Sequence, residues 1–285
     1  MLIMKFNKME ISAIAQQRIR IVTSSDSQDA EDDLAVEEPL EIQLGFTEFG
    51  KKIKKSISVT MRTPGNDDEL AAGFLFTEGI ITEKGQVNAV KNDVFDENKV
   101  VVNLTDDFLP QINSLERNFY TTSSCGVCGK ASIDAIKTVS AYQQNDNTLL
   151  VSRKVIFSLK DQLHLQQSIF ETTGGLHASA LFDLHGKFIT LREDVGRHNA
   201  LDKLIGNALL NDLLPLANHI LLLSGRASFE LIQKAGMAGI KIVVAIGAPS
   251  SLAVKLAEES NMTLIGFLKN NKFNIYSGFE RISEL

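Results

Sequence analysis

From residue 40 the chain alternates: Leu40, Ile42, Leu44 and Phe46 are separated by polar or small residues, the period of a half-buried strand. Gly50 lies in a turn region, and Ile57, Val59 and Met61 resume the alternation, so the two stretches predict a hairpin. Thr63-Pro64-Gly65-Asn66 ends the second strand. Asn66 is placed to cap a helix whose first turn carries Asp67, Asp68 and Glu69, favourable near the positive end of the helix dipole. Leu70, Phe74 and Leu75 share one face of that helix, and Gly79 is its expected stop. A further strand is expected over residues 100–104. Residues 23–38, rich in Ser, Asp and Glu, read as a solvated linker or loop.

The second half has another rhythm. Helical spacing appears in Ile133, Ile136 and Val139, and again in Leu159, Leu163 and Ile169. A strand is expected at 178–182, a turn at 183–186 and a returning strand at 188–191. A helix carrying Leu201, Leu204, Ile205 and Ala208 inward comes next. Then follow strand 220–223, helix 229–235, strand 240–246, helix 252–259 and strand 264–267. Short apolar runs separated by amphipathic helices imply parallel strands with right-handed crossovers. The expectation is an α/β protein: a three-layer domain with a mostly parallel sheet over 113–285, and a smaller N-terminal α+β domain with the acidic loop over 1–112.

Ser224-Gly225-Arg226, Gly247-Ala248-Pro249-Ser250 and residues 267–272 each follow the carboxyl end of a predicted strand. In an open parallel sheet those loops share the edge where ligands bind. Their glycines permit close backbone approach, helix starts offer free N–H groups, and Arg226, Lys269 and Lys272 add positive charge. That describes an anion or nucleotide site. The plainer alternative is that the glycines end strands and the basic side chains are solvated.

Composition narrows the class. Of 285 residues, 44% are hydrophobic and 22% charged, which is ordinary for a globular chain and excludes disordered and fibrous classes. A formal net charge of −6 argues against a general nucleic-acid binder. No apolar run approaches the roughly 20 residues that span a bilayer, and the first 20 residues lack a signal-peptide core, so a cytosolic setting is expected. The two cysteines are also too few and too close for a secreted disulfide scaffold.

Those cysteines, Cys125 and Cys128, stand in Thr121-Thr122-Ser123-Ser124-Cys125-Gly126-Val127-Cys128-Gly129-Lys130, just before a predicted helix. Free N–H groups at a helix start lower a nearby thiol's pKa and favour the nucleophilic thiolate; Lys130 adds positive charge. A zinc site would need two more ligands, and His164, His177, His185, His198 and His219 offer no pair at the usual spacing. A zinc deaminase would need a His-x-Glu upstream and a proline before the first cysteine; no His precedes Cys125, and Ser124 occupies the proline position. Dithiol–disulfide exchange and sulfur transfer through a cysteine persulfide both remain open on spacing alone.

The wider sequence resembles a known family. Met61-Arg62-Thr63-Pro64-Gly65, Phe74-Leu75, Thr77-Glu78-Gly79-Ile80-Ile81, the Cys125 segment and residues 173–180 are similar to the formate dehydrogenase accessory sulfurtransferases of the FdhD type. The strongest block is Arg192-Glu193-Asp194-Val195-Gly196-Arg197-His198-Asn199-Ala200-Leu201-Asp202-Lys203. The resemblance implies that Cys125 carries persulfide sulfur from a cysteine desulfurase to a molybdenum cofactor bearing two molybdopterin guanine dinucleotides, required by formate dehydrogenase. It also implies a cytidine-deaminase-like fold for the main domain, a homodimer, and cofactor binding by Phe267, Leu268, Lys269, Asn270, Asn271 and Lys272. Many relatives carry Pro-Gly-Arg where Asn270, Asn271 and Lys272 stand, so this chain keeps a charge but loses a bidentate guanidinium. Cys128 could stabilise the thiolate, resolve the persulfide or shape the turn. His177 could meet the cofactor or the cysteine loop, or simply end a strand. Arg192, Arg197 and His198 could bind phosphates, or Glu193 and Asp194 could pair with the arginines structurally. The readings that compete with sulfur transfer are a thiol–disulfide oxidoreductase and a cofactor chaperone that transfers no sulfur.

Overall fold

The computed structural model describes residues 12–93, 95–110, 142 and 149–284. A protruding hairpin comes first, β1 (Ile14–Val22) with β2 (Ser27–Ala35). The acidic stretch is thus largely a strand and not a loop. Its register sets Arg18 opposite Glu31 and Arg20 opposite Asp29, the latter bonded at 2.8 Å. Cross-strand charge pairs support a strand that carries almost no apolar alternation.

β3 (Glu38–Glu48) and β4 (Lys51–Arg62) form the expected hairpin, followed by α1 (Asp67–Thr77), β5 (Val87–Asn92) and β6 (Lys99–Leu104). The resulting four-stranded sheet runs β4-β3-β6-β5. Leu40, Ile42 and Leu44 are buried as expected. β4 departs from the expectation. Register shifts beside Ile42, where Gln43 pairs with Ser56 and Ile57 is the extra residue. A bulge exchanges the two faces of the strand beyond it. Val59 and Met61 therefore point to solvent, 56% and 47% exposed, while Arg62 is fully buried. There Arg62 forms a bidentate pair with Asp67, both bonds 3.0 Å. Asn66 precedes α1 in a left-handed conformation and makes no side-chain cap bond, contrary to the capping role expected of it. Gly79 does end the helix, at φ 74°.

The second unit contains β7 (Val151–Ser152), α2 (Arg153–His164), α3 (Ser168–Thr173), β8 (His177–Asp183), β9 (Phe188–Asp194) and α4 (Arg197–Leu210). It continues with β10 (His219–Leu223), α5 (Phe229–Met237), β11 (Ile242–Ala245), α6 (Ser251–Glu259), β12 (Thr263–Gly266), β13 (Asn274–Ser277) and β14 (Ile282–Ser283). Ile169 belongs to α3, because the helix carrying Leu159 and Leu163 ends at His164. The helix predicted around Ile133 and the expected 112/113 domain boundary lie outside the described residues.

The main sheet runs β13-β12-β11-β10-β8-β9. Only β10, β11 and β12 are mutually parallel; β8, β9 and β13 run antiparallel to their neighbours, so the sheet is mixed and not mostly parallel. The helical crossovers lie between the parallel strands, whereas β8 to β9 and β12 to β13 return through short loops. Ile220, Leu222, Ile242 and Val244 face α2; Leu221, Leu223, Val243 and Ala245 face α4, α5 and α6. Burial on both faces explains the unbroken apolar runs. The second of these cores continues through α4 and α1 to β3 and β6, so the two sheets share it. Among the described residues no helix is long and apolar enough to cross a membrane.

α1 and α4 cross backbone to backbone. A methyl group on Gly73 would overlap the Asp202 carbonyl oxygen, and one on Gly206 would overlap that of Glu69. The closeness lets Thr77 of α1 donate to Asp202 of α4 at 2.8 Å, while Lys234 of α5 reaches Thr77 at 2.8 Å and both Asp202 oxygens at 2.9 and 3.0 Å. Burial works against the Lys234 charge, but the Asp202 and Glu78 carboxylates outweigh it and hold its pKa above the ordinary value.

Gly73→Ala should lower the unfolding free energy by about 3 kcal/mol in chemical denaturation, since the helix propensity gained is only about 1 kcal/mol. Unchanged stability would show that the helices separate freely. Lys234→Met, which strands the Asp202 carboxylate, should cost about 3–5 kcal/mol, and Asp202→Leu combined with Lys234→Met should cost less than Lys234→Met alone.

Candidate functional site

The carboxyl ends of β10, β11 and β12 lie side by side, and the three loops that follow them are knitted by backbone bonds. Gly247 N–H donates to the Gly225 carbonyl at 2.9 Å, Ala227 N–H to Ala248 at 3.1 Å, and Phe267 N–H to Gly247 at 3.0 Å. A Cβ on Gly247 would stand 2.9 Å from both Arg226 N and the Gly225 oxygen, so only glycine allows this approach. α5 and α6 start from the same edge. Ser250 caps α6 by accepting from Ala253 N–H at 3.2 Å.

His177 opens β8 beside this edge. The next residue's N–H donates to Ser224 Oγ at 2.8 Å, and Ser224 N–H returns a bond to the Ala178 carbonyl at 3.0 Å. His177 packs on Gly225, where an added Cβ would meet its Nδ1 at 3.2 Å. Burial, then the charges of Arg197, His198 and Arg226, push the His177 pKa below the ordinary imidazole value and favour the neutral ring. Arg226 is exposed. Arg197 has a buried Nε with no hydrogen-bond partner among the described residues. His198 lies 3.6 Å from Glu230, and that contact holds the Glu230 carboxyl down to about 2.

Within the strongest resemblance block the residues divide into two groups. Arg192 pairs with Glu69 of α1, with Nη2 to Oε1 at 2.7 Å, and not with Glu193 or Asp194. Glu193 accepts the N–H groups of Ile169 and Phe170 at 3.2 and 3.0 Å. Asp194 is fully buried, bonded to Lys203 at 2.7 Å, to Thr63 N–H at 3.1 Å and to Gly196 N–H at 2.8 Å. Arg192 and Asp194 thereby join the two sheets, whereas Glu193 ties β9 to α3. Only Arg197 and His198, at the start of α4, belong to the edge.

A cleft of about 570 Å³ lies between α2, α3 and this edge, bounded by Lys160, His164, Gln167, Phe170, His177 and Ser224 among others. The loop after β12 flanks it. Leu268 is 1% exposed and packs in the core, so its side chain cannot meet a ligand and only its backbone could. Phe267 is partly exposed in a left-handed conformation at φ 53°. Lys269, Asn270, Asn271 and Lys272 are exposed and form a tight turn, with Lys269 N–H donating to Lys272 O at 2.9 Å. Lys160 Nζ donates to Asn270 Oδ1 at 2.9 Å, which connects the expected cofactor stretch to the cleft.

Thus Arg226 and the loop of Lys269 and Lys272 stand along one edge, as expected. Cys125 and Cys128 lie outside the described residues. Lys160, His164 and Gln167 were not anticipated: in sequence they are polar positions beside the apolar stripe of Ile156, Leu159 and Leu163, indistinguishable from a solvated helix face. By proton NMR the His177 ring should titrate below 6.5, and Arg197→Gln should move that value upward by removing a positive neighbour. A value that does not respond would place Arg197 too far away to act on it.

The chain is 48% identical over 264 residues to the sulfur carrier protein FdhD of Streptomyces avermitilis, covering 88% of this chain and 89% of that one. It is 45% identical over 276 residues to the protein of the same name from Mycolicibacterium paratuberculosis, covering 94% and 98%. The fold matches a crystal structure assigned as a formate dehydrogenase accessory protein from Desulfotalea psychrophila, with a TM-score of 0.74 and 22% identity, over 95% of this chain and 100% of that one. Residues 35–283 match the FdhD/NarQ family, and the chain belongs to that family.

Proposed function

We propose that this chain is a sulfur carrier. It takes persulfide sulfur from a cysteine desulfurase onto Cys125 and delivers it to a molybdenum cofactor bearing two molybdopterin guanine dinucleotides, for use by formate dehydrogenase in the cytoplasm. What carries this reading is 48% identity, over 88% of the chain, to a protein named as a sulfur carrier. The Cys125-Gly126-Val127-Cys128 motif adds the chemistry. A Cys125 thiolate attacks the terminal sulfur of the donor's persulfide; a new Sγ–S bond forms, the donor's S–S bond breaks, and the donor departs as a thiolate.

The molybdenum cofactor is cargo here, and its guanine nucleotide ends are the parts an anion-binding edge would hold. Arg226, Lys269 and Lys272 supply exposed positive charge along the edge, and the glycine loops between them bring free backbone close to a ligand. Lys272, as a point charge, gives a less directional phosphate contact than an arginine would. A homodimer belongs to the same proposal.

The test is intact-protein mass spectrometry after incubation with a cysteine desulfurase and free cysteine, with peptide mapping. One additional sulfur on Cys125, removed by reductant and absent from Cys125→Ala, is the expected result, together with loss of formate dehydrogenase maturation by that variant. A Cys125–Cys128 disulfide without added sulfur would favour thiol–disulfide exchange. Normal maturation by a variant lacking both cysteines would favour a chaperone.

A further inference from the structure

At the end of the main sheet opposite the carboxyl edge, α5 and α6 finish side by side near the start of β11. Ile232, Gly236 and Met237 of α5, Leu256 of α6 and Met262 after it bound a second cavity, of about 60 Å³. Lys241, the residue before β11, lines the same cavity. Its backbone is fixed there, because its carbonyl accepts from Thr263 N–H at 2.8 Å.

The Lys241 side chain breaks the rule that buried charges are paired. It is 8% exposed, yet it makes no hydrogen bond or ion pair with any described residue. An uncompensated ammonium away from water is costly. Two other deeply buried lysines obey the rule, Lys203 bonded to Asp194 and Lys234 to Asp202. No carboxylate bounds the cavity among the described residues. The charge that acts on Lys241 is another cation, Arg281, which is turned to Glu280, Thr263 and Asn261 at 3.2, 3.3 and 2.9 Å. Burial first, and then Arg281, pull the Lys241 pKa below its ordinary value.

Gly236 supplies a separate observation. It stands inside α5, where alanine is the better helix former, and nothing around it demands glycine. Within 4 Å an added Cβ would meet only Met262 Sδ, at 3.9 Å, an ordinary contact. The missing methyl group keeps space open on the cavity wall beside an unpaired ammonium.

Size and lining narrow the ligand. The volume is that of about two water molecules, or of one molecule of about four non-hydrogen atoms. A multiply charged oxyanion would press oxygens that lack donors against Ile232, Met237 and Leu256. A carboxylate carries its charge at one end and can lay a short apolar tail on those side chains. We infer that this cavity is a binding site for a short monocarboxylate the size of acetate, held by an ion pair with Lys241. Ser260, on the same wall, offers a hydroxyl to the carboxylate. The site lies away from the carboxyl edge and is independent of the sulfur-carrier reading.

The test is thermal unfolding of the full chain in sodium acetate, sodium chloride, sodium phosphate and sodium trimethylacetate at matched ionic strength. About 100 mM acetate should raise the midpoint by about 3–5 °C over chloride, the shift expected of a ligand with a Kd of about 1–10 mM. Phosphate and the bulkier trimethylacetate should match chloride. Lys241→Met, which removes the charge, and Gly236→Ala, which fills the space and keeps the charge, should each abolish the acetate increment. Gly236→Ala is the safeguard if Lys241→Met does not fold. Equal midpoints in acetate and chloride for the wild type would leave the ammonium served by water alone and overturn the inference. An acetate increment that survives both variants, or that trimethylacetate or phosphate reproduces, would place the anion elsewhere and overturn it as well.

Discussion

Where α1 crosses α4, Gly73 and Gly206 leave no side chain between the two backbones, and this close approach governs what lies around it. It brings Thr77 within reach of Asp202 and Glu69 within reach of Arg192. It also leaves a space at the shared core that a lysine from α5 fills with its charge paired. Ion pairs buried this deeply are costly to desolvate and contribute less net stability than their number suggests. Their visible role is geometric: their hydrogen bonds tie α1, α4 and α5 together where the small sheet meets the large one.

Much of this architecture was legible in the chain. The apolar runs of β10, β11 and β12 and the amphipathic helices between them placed three loops on one sheet edge, and those loops are hydrogen-bonded neighbours. What was illegible had physical causes. One extra residue at Ile57 reverses the parity of β4, and nothing in the local composition announces a bulge. β2 is supported by charge pairs across a hairpin, which look like a solvated acidic stretch when read along one strand. Lys160 meets Asn270, 110 residues away, only when the loop folds against α2, and nothing in the local sequence signals that contact.

The block from Arg192 to Lys203 shows how a dense motif can mislead. Most of its charged side chains face inward, toward the first sheet, and hold the scaffold: Arg192, Asp194, Asp202 and Lys203 all find partners in or around α1, the Thr63 turn or α5. Two consecutive residues, Arg197 and His198, lie instead at the start of α4, where His198 meets Ser228 and Glu230 of the next helix and both positive charges help to lower the His177 pKa. The same short segment therefore builds the junction between the sheets and sets the electrostatics of the edge.

The loop that follows β12 has its backbone bonded to β11 and the Gly247 turn, one side chain sunk in the core, and two others resting on α2. Its conformational entropy has been lost on folding, before any ligand arrives. Association with such a surface carries little further ordering cost, so even a weak set of contacts can be converted into useful affinity. The exposed tips of Lys269, Asn271 and Lys272 can then vary without disturbing those contacts, which gives this position in the fold room to change its surface chemistry while its backbone stays in place.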